Sequence, residues 1–477
     1  MQTLATPNGA LMARLERILG PGGLLLGDAI DARYREDLLG RAGECPVAVI
    51  RPRNTDEVSQ ALKLCNDAGV PVCTQGGRSG LVQSVLPHPG EVVLSMELMN
   101  AVESIDADAA TAIVQSGVVL QALQEKLEPH GLAFPLDLGG RGSCTIGGNA
   151  STNAGGNRVI RYGMTRDLIL GLEAVLADGT VLDGLKPFVK NNTGTDLKHL
   201  FIGSEGTLGV ITRLVLRLVP KPTATGVAFC GLAGFGQVRA LLRHLRAELG
   251  GELTAFEVLW KDYYTRFLVL KPGMGSMPDA HPFYVLTEAS GSDEAALRER
   301  FERALGAALE QGILDDAVIA KSGAEGEALW HMRDMAVEVG GTLGPHAAFD
   351  VSLRIADMER FAVELDAAAR ALDARCATLV FGHAGDGNLH LAVARPRDLD
   401  DGYKRIERAV YALVRQYGGS VSAEHGIGMS RREYLGHTRT PAEIEVMRAL
   451  KRTLDPKNTL NPDRVIARDA RGNAQSA

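Results

Sequence analysis

Gly139-Gly140-Arg141-Gly142-Ser143-Cys144-Thr145-Ile146-Gly147-Gly148-Asn149, followed by Asn153-Ala154-Gly155-Gly156-Asn157, is the stretch on which the fold turns. Glycine disfavours both helix and strand interiors, so this composition predicts neither. A flexible linker would lack the interleaved apolar residues, and the flanking sequence is strongly patterned. The segment therefore reads as a structured, glycine-rich loop inside a folded domain.

Upstream, Gln75-Gly76-Gly77-Arg78-Ser79-Gly80 closes a strand beginning at Val70-Pro71-Val72. Such a turn presents backbone N–H groups to a phosphate, and glycine allows close approach. The chain has no GxGxxG at this turn and no GxxxxGK[ST] anywhere, which disfavours a classical NAD site and a P-loop. Further upstream, residues 10–19 read as a short amphipathic helix ended by Gly20-Pro21-Gly22. A strand containing Val47, Val49 and Ile50 precedes a helix from Asp56 to Asn66. Downstream, Gly171 to Val181 reads as a strand and hairpin with Asp178-Gly179 at the turn.

Pro220-Lys221-Pro222 marks a domain boundary. Beyond it, strands are expected near 226–230, 283–289 and 349–353, each followed by a helix (236–248, 293–310, 357–372). A strand pair over 377–394 and helices near 403–417 and 441–453 complete the pattern. It predicts a largely antiparallel sheet with helices on one face.

A chain of 477 residues is too long for one ordinary core, so two or more domains are expected. Its net charge of −7 argues against nucleic acid or an anionic membrane as the main partner. The cysteines (Cys45, Cys65, Cys73, Cys144, Cys230 and Cys376) form no CxxC pair, which argues against a zinc ribbon or thioredoxin-type site. Reduced thiols in a cytoplasmic protein are expected. No signal-peptide pattern and no bilayer-length apolar run is visible.

The segments taken together carry more than any one of them. Gly76 to Leu81, Pro135-Leu136-Asp137-Leu138, Gly142 to Asn149, Thr152 to Gly156, Tyr162-Gly163, Gly171-Leu172-Glu173 and Gly203-Ser204-Glu205-Gly206-Thr207-Leu208-Gly209 follow one another in order. This series resembles the FAD-binding domain of the vanillyl-alcohol-oxidase (PCMH-type) family, in its D-lactate and D-2-hydroxyglutarate dehydrogenase branch. The resemblance runs from about residue 30 to Val465. It implies that Gly76, Gly77, Arg78, Ser79, Gly80 and Leu81 form a pyrophosphate turn. It places Pro135, Gly142, Ser143, Cys144, Gly147, Gly148, Asn153 and Gly155 along the FAD, with Ile211 near the adenine, and adds Glu205, Gly206 and Asn461 to the cofactor set. No histidine lies in the first turn, where some relatives attach FAD covalently, so non-covalent FAD is expected.

Gly382-His383-Ala384-Gly385-Asp386-Gly387-Asn388-Leu389-His390 lies between two β-rich runs. Asp386-Gly387 suggests a tight reversal, and alternation puts Asn388 and His390 on one face of the outgoing strand. Ser422-Ala423-Glu424-His425-Gly426-Ile427-Gly428 ends another strand-like run. Two histidines and a carboxylate form a ligand set for a catalytic metal. Hydrogen-bonded structural histidines account for the spacing equally well. In the family branch that these motifs resemble, residues matching His383, His390 and Glu424 bind a divalent ion, usually zinc. The resemblance further implies that Asn388 contacts substrate, that His425 is the base and that Arg333 binds the substrate carboxylate.

One departure bears on the substrate. Enzymes of the hydroxyglutarate type carry a threonine and a lysine where this chain has Val337 and Ala348. A second carboxylate would lack partners there, so a monocarboxylic acid such as D-lactate is expected rather than D-2-hydroxyglutarate. The expected fold is α+β, with a two-part PCMH-type FAD domain over 42–221 after an N-terminal segment, 1–41. A cap with an antiparallel sheet covered by helices follows over 222–430. Residues 431–467 return to complete the FAD site, and 468–477 form a disordered tail. Implied partners are a small D-2-hydroxy acid and a quinone or electron-transfer flavoprotein as electron acceptor, with a homodimer as the assembly. The competing classes are an oxidase or glycolate-oxidising subunit, a zinc hydrolase, and a non-catalytic flavoprotein.

Overall fold

The computed structural model describes residues 9–467. The expected tail, 468–477, lies outside the described residues. The chain divides into two units. The first takes residues up to Ala154, Met164–Pro220 and the chain from His425. The second takes Gly155–Gly163 and Lys221–Glu424.

The first unit contains two principal sheets. In one, strands Ala48–Ile50, Val92–Ser95 and Val72–Gln75 pair in parallel in that order, with Leu24–Leu25 antiparallel at the edge. All three residues of Ala48–Ile50 are buried, as a parallel strand covered on both faces requires. Helix Thr55–Asp67 starts where the Asn54 side chain accepts from the Glu57 amide, and it buries Val58, Ala61, Leu62 and Cys65. Helix Gly9–Leu19 adds Leu11, Leu15 and Leu19 to the same core, which also contains Leu460. The other sheet is antiparallel and five-stranded, in the order Val102–Asp106, Thr111–Gln115, Val210–Arg217, Ile169–Val175, Val181–Gly184.

The chain from His425 onward is tied deep into this unit. The Val72 amide donates to the Thr459 carbonyl at 2.7 Å, and the Asn461 amide donates to the Val72 carbonyl at 2.8 Å. Arg464 and Glu91 form an ion pair in which both side chains are essentially inaccessible.

In the second unit, a seven-stranded antiparallel sheet runs in the order Asp316–Ile319, Ala224–Leu232, Phe283–Gly291, Leu253–Trp260, Thr378–Gly382, Asn388–Ala394, His346–Ser352. Its helices occupy both faces, not one as the pattern predicts. Helix Glu294–Glu310 lays Phe301 against Gly226, whereas helix Gly323–Asp334 lays Gly326 against Val227. Adjacent strand residues point to opposite faces, so the two helices cover opposite sides. The second face is the more aromatic, with Tyr263, Tyr264 and Phe267 of helix Lys261–Leu270 packed on Phe229, Tyr284 and Phe381.

Two other expectations are corrected. Residues 146–152, read as loop, form a helix capped by Thr145, whose hydroxyl accepts from the Gly148 amide. A Cβ at Gly147 would lie 2.4 Å from the Ser116 Cβ, so glycine here serves a close helix–strand approach that outweighs its poor helix propensity. The run before Glu424 is not a strand; it makes a single bridge, Ser352 to Ser420.

Candidate active site

In the first unit, the turn Gly76–Leu81 leaves strand Val72–Gln75 half-buried. A Cβ on Gly77 would sit 1.9 Å from the Ser143 carbonyl oxygen, and one on Gly76 2.5 Å from Thr145 Oγ1. The expected pyrophosphate turn is therefore brought against Ser143, Cys144 and Gly148, whereas Gly147 faces Ser116. Gly80, in contrast, faces open space. Arg78 sits 5.7 Å from the Tyr34 ring, on which Arg33 stacks at 4.8 Å. Burial and the charge of Arg33 lower the Arg78 pKa. An open glycine turn beside two crowded guanidiniums fits a ligand that brings a pyrophosphate.

Several other residues of the expected cofactor set make contacts within the protein. Leu81 gives its carbonyl to Arg41 Nη2 at 2.8 Å, and Asn153 Oδ1 accepts from the Arg166 amide at 2.9 Å. Ile211 is buried on strand Val210–Arg217. Asn461 joins the Thr74 amide to the Glu205 carbonyl and packs against Gly206. Pro135 is half-buried, Gly142 is exposed, and Gly155 falls in the second unit. Glu205 accepts from Ser84 Oγ and from the amides of Ile427 and Gly428 at 2.7–2.9 Å. Burial raises its pKa. Its carboxylate thus clamps the loop that follows His425. Arg431 Nη2 lies 3.4 Å from His425 Nδ1. A guanidinium only donates, so Nδ1 is the accepting nitrogen in this contact.

In the second unit, His383 directly follows strand Thr378–Gly382, and Asn388 and His390 share a face of strand Asn388–Ala394. Candidate ligand atoms of His383, His390 and Glu424 all lie within 4.8 Å of one another. The two imidazole rings meet edge-on with centroids 5.1 Å apart. Both side-chain polar atoms of Asn388 are buried without a hydrogen-bond partner. Burial raises the Glu424 pKa to about 7 and that of Asp386 to about 6. The two imidazoles and the Glu424 carboxylate, close enough to share one ion, form a donor set that suits a divalent cation.

Two carboxylates that the sequence reading did not single out surround this group. Glu257, on the central strand Leu253–Trp260, accepts from His383 Nδ1 at 2.5 Å and from Arg333 Nε at 2.8 Å. Burial opposes its charge, but His383 and Arg333 prevail and lower its pKa to about 2. Burial likewise disfavours charge on His383, and Glu257 outweighs it, raising that pKa to about 9. Arg333 acts in the opposite sense. Its Nη2 lies 3.1 Å from His383 Nε2, so that nitrogen must accept, with the ring proton on Nδ1. A proton on Nδ1 and a lone pair on Nε2 satisfy both contacts. Asp350 Oδ2 accepts from the Ala423 and Glu424 amides at 3.2 and 3.0 Å. Asp350 also pairs with His390 across the sheet. The available signal for Glu257 was a lone carboxylate in the apolar run Leu253-Thr254-Ala255-Phe256-Glu257-Val258-Leu259-Trp260, where a buried charge requires partners.

Arg333, expected to bind a carboxylate, is buried and held as described, with its guanidinium 5.3 Å from the Phe381 ring. Val337 is 83% exposed, outside these buried surroundings. Ala348 pairs with Ala392, on the same strand face as Asp350 and one alternation away from the Asp350–His390 pair.

Comparison with known proteins gives the following. The C-terminal domain model of FAD-linked oxidases matches residues 221–465, and a FAD-binding domain model matches residues 46–184. Mitochondrial D-2-hydroxyglutarate dehydrogenase of Bos taurus is 39% identical over 455 residues, covering 95% of this chain and 83% of that protein. D-2-hydroxyglutarate dehydrogenase of Stutzerimonas stutzeri is 36% identical over 471 residues, covering 96% and 99%. A Schizosaccharomyces pombe protein provisionally named a mitochondrial D-lactate dehydrogenase is 36% identical over 474 residues, covering 96% and 88%. Among solved structures, p-cresol methylhydroxylase superposes with a TM-score of 0.75 at 16% identity, covering 96% of each chain. Alkyldihydroxyacetonephosphate synthase gives 0.75 at 19% identity, covering 95% and 86%.

Proposed function

The chain belongs to the FAD-linked oxidase family, and we propose that within it this protein oxidises a D-2-hydroxy acid to the 2-oxo acid with the help of a divalent metal ion. The observation that carries this reading is the convergence of His383, His390 and Glu424, with the unsatisfied Asn388 on the same strand face as His390, in a chain that also has a FAD-binding domain. FAD, held without a covalent bond along Gly76–Leu81 and Ser143–Gly148, supplies the two-electron acceptor for the hydrogen on C2. A divalent ion at His383, His390 and Glu424, with zinc favoured by the nitrogen-rich donors, supplies a Lewis acid for the hydroxyl and carboxylate oxygens.

The protein's own groups do the rest. Asn388 offers a donor and an acceptor that the fold leaves unused. Arg333 places a permanent positive charge beside His383, where it could pair with a substrate carboxylate. His425, next in sequence to Glu424, takes up the hydroxyl proton on Nδ1, its unprotonated nitrogen, in place of the Arg431 contact, and the Glu205 clamp holds the loop that follows it. A quinone or electron-transfer flavoprotein then receives the electrons.

For the substrate, Ala348 favours a monocarboxylic acid such as D-lactate. The names of the cattle and Stutzerimonas relatives favour D-2-hydroxyglutarate as the second reading. Anaerobic bleaching of the flavin separates them. The purified protein is mixed with D-lactate, L-lactate, D-2-hydroxybutyrate, D-mandelate and D-2-hydroxyglutarate, each with and without a chelator. Bleaching by the monocarboxylic D-acids, abolished by the chelator, is expected. Indifference to every D-acid overturns the substrate class, and bleaching untouched by the chelator overturns the metal.

A further inference from the structure

We infer that Glu257 is the positioning residue of this site: one buried carboxylate that fixes the tautomer of His383 and anchors the Arg333 guanidinium at the same time. The inference rests on reading His383, His390 and Glu424 as ligands of a divalent ion. Each oxygen of Glu257 has one client. Oε1 accepts from His383 Nδ1 at 2.5 Å, and Oε2 accepts from Arg333 Nε at 2.8 Å. With its proton committed to Nδ1, His383 carries its lone pair on Nε2, 3.9 Å from Glu424 Oε1; here that lone pair accepts from Arg333 Nη2 at 3.1 Å, a contact that a bound ion would replace. A carboxylate behind a ligating imidazole fixes the ring and raises its basicity.

The strand gives Glu257 the rigidity this role needs. It lies on the central strand Leu253–Trp260, between Phe256 and Val258, and its side chain is 1% exposed. The register sets Glu257 opposite Leu286 and Leu259 opposite Phe381, which in turn pairs with His390. The orienting carboxylate and the candidate ligand His390 thus hang from the same face of one continuous sheet.

A second buried carboxylate supplies the contrast. Glu288, on the neighbouring strand and the same face, accepts from Arg158 Nε, Thr254 Oγ1 and Trp330 Nε1 at 2.8–3.0 Å. None of these partners is a candidate ligand. Glu288 is therefore the control for loss of a buried carboxylate that does nothing beyond holding the fold.

The test is metal affinity, read independently of turnover. Wild type, Glu257→Gln and Glu288→Gln are purified with FAD bound and stripped of metal. Zn²⁺ is then titrated against a chromophoric chelator, and the Co²⁺ form is examined by visible absorption. For Glu257→Gln, Zn²⁺ Kd rises 10- to 100-fold and the Co²⁺ bands shift, with flavin content unchanged. For Glu288→Gln, Tm falls and Kd stays within about twofold of wild type, the size of ordinary context scatter. Wild-type Kd and Co²⁺ bands in Glu257→Gln overturn the inference, as does an equal loss in Glu288→Gln. If Glu257→Gln does not fold, Glu257→Asp retains the charge but withdraws it from His383; an unchanged Kd there overturns the inference equally. Wild type that binds neither ion overturns the metal reading itself, and the inference with it.

Discussion

Ala348 presents a methyl group at a place where length would matter. It stands two positions from Asp350 on strand His346–Ser352, about 7 Å along the strand from the pair Asp350–His390. A lysine at this position could reach toward the ligand group and offer a charge to a distal carboxylate, whereas a methyl leaves that carboxylate unpaired. Ala348→Lys is therefore expected to raise kcat/KM for D-2-hydroxyglutarate relative to D-lactate by at least tenfold, about 1.4 kcal/mol. Steady-state assays with both acids check it, and an unchanged ratio removes Ala348 as the determinant. Val337→Thr should do nothing alone, because Val337 is 83% exposed. Legibility at this scale was uneven for a physical reason. His383, His390 and Glu424 sit in short polar motifs that stand out against apolar strands, and the structure brings them together. Glu257 and Asp350 act from strands that contribute one buried carboxylate each, without a motif around it, and were not seen.

Elements whose apolar pattern repeats locally were legible. The helices expected over 236–248, 293–310 and 357–372 occur as Phe235–Leu249, Glu294–Glu310 and Met358–Leu372. Strand Leu253–Trp260 was missed because a strand at the centre of a sheet is apolar on both faces and shows no alternation. Helix Ile146–Thr152 was misread because glycine is there for tertiary packing, and local propensity does not register that. The same logic applies to the turn that precedes it in the chain. In Gly77→Ala, the added Cβ would collide with the Ser143 carbonyl, a backbone atom that cannot swing aside. The two segments must separate, so the variant is expected to purify with less than a tenth of the wild-type flavin per chain, a loss of more than about 1.4 kcal/mol in affinity. Absorbance against protein concentration measures it. Full flavin occupancy would mean that the contact is not needed to hold the cofactor.

At the scale of the molecule, both units are assembled from segments far apart in sequence. The units exchange at Pro220–Lys221, and the assignment of Gly155–Gly163 to the second unit has no mark in the sequence. That segment is short, and its ties are long-range: Arg158 to Glu288, and Arg161 to Ser290. The first unit is closed by residues from the other end of the chain. Arg464 pairs with Glu91, 373 positions earlier, with both charges out of contact with water. Replacing it by methionine of similar bulk would leave Glu91 buried and uncompensated. Arg464→Met is expected to cost roughly 3–5 kcal/mol of stability. Urea denaturation followed by flavin release would show it, and a loss under about 1 kcal/mol would indicate that water reaches Glu91.

This closure has a consequence for biosynthesis. A ribosome emits Ala48–Ile50, Val72–Gln75 and Val92–Ser95 early, yet Leu460, which completes their core, and Thr459, which bonds to Val72, emerge more than 360 residues later. At about 5–20 residues per second, the first sheet waits tens of seconds for its last partner. The sheet and helices of the second unit are all translated during that interval. A nascent chain cut short before Thr459 would carry the turn Gly76–Leu81 without the backbone partner of Val72. Premature termination should then yield chains that chaperones and proteases recognise as unfinished, rather than a flavoprotein with a missing end.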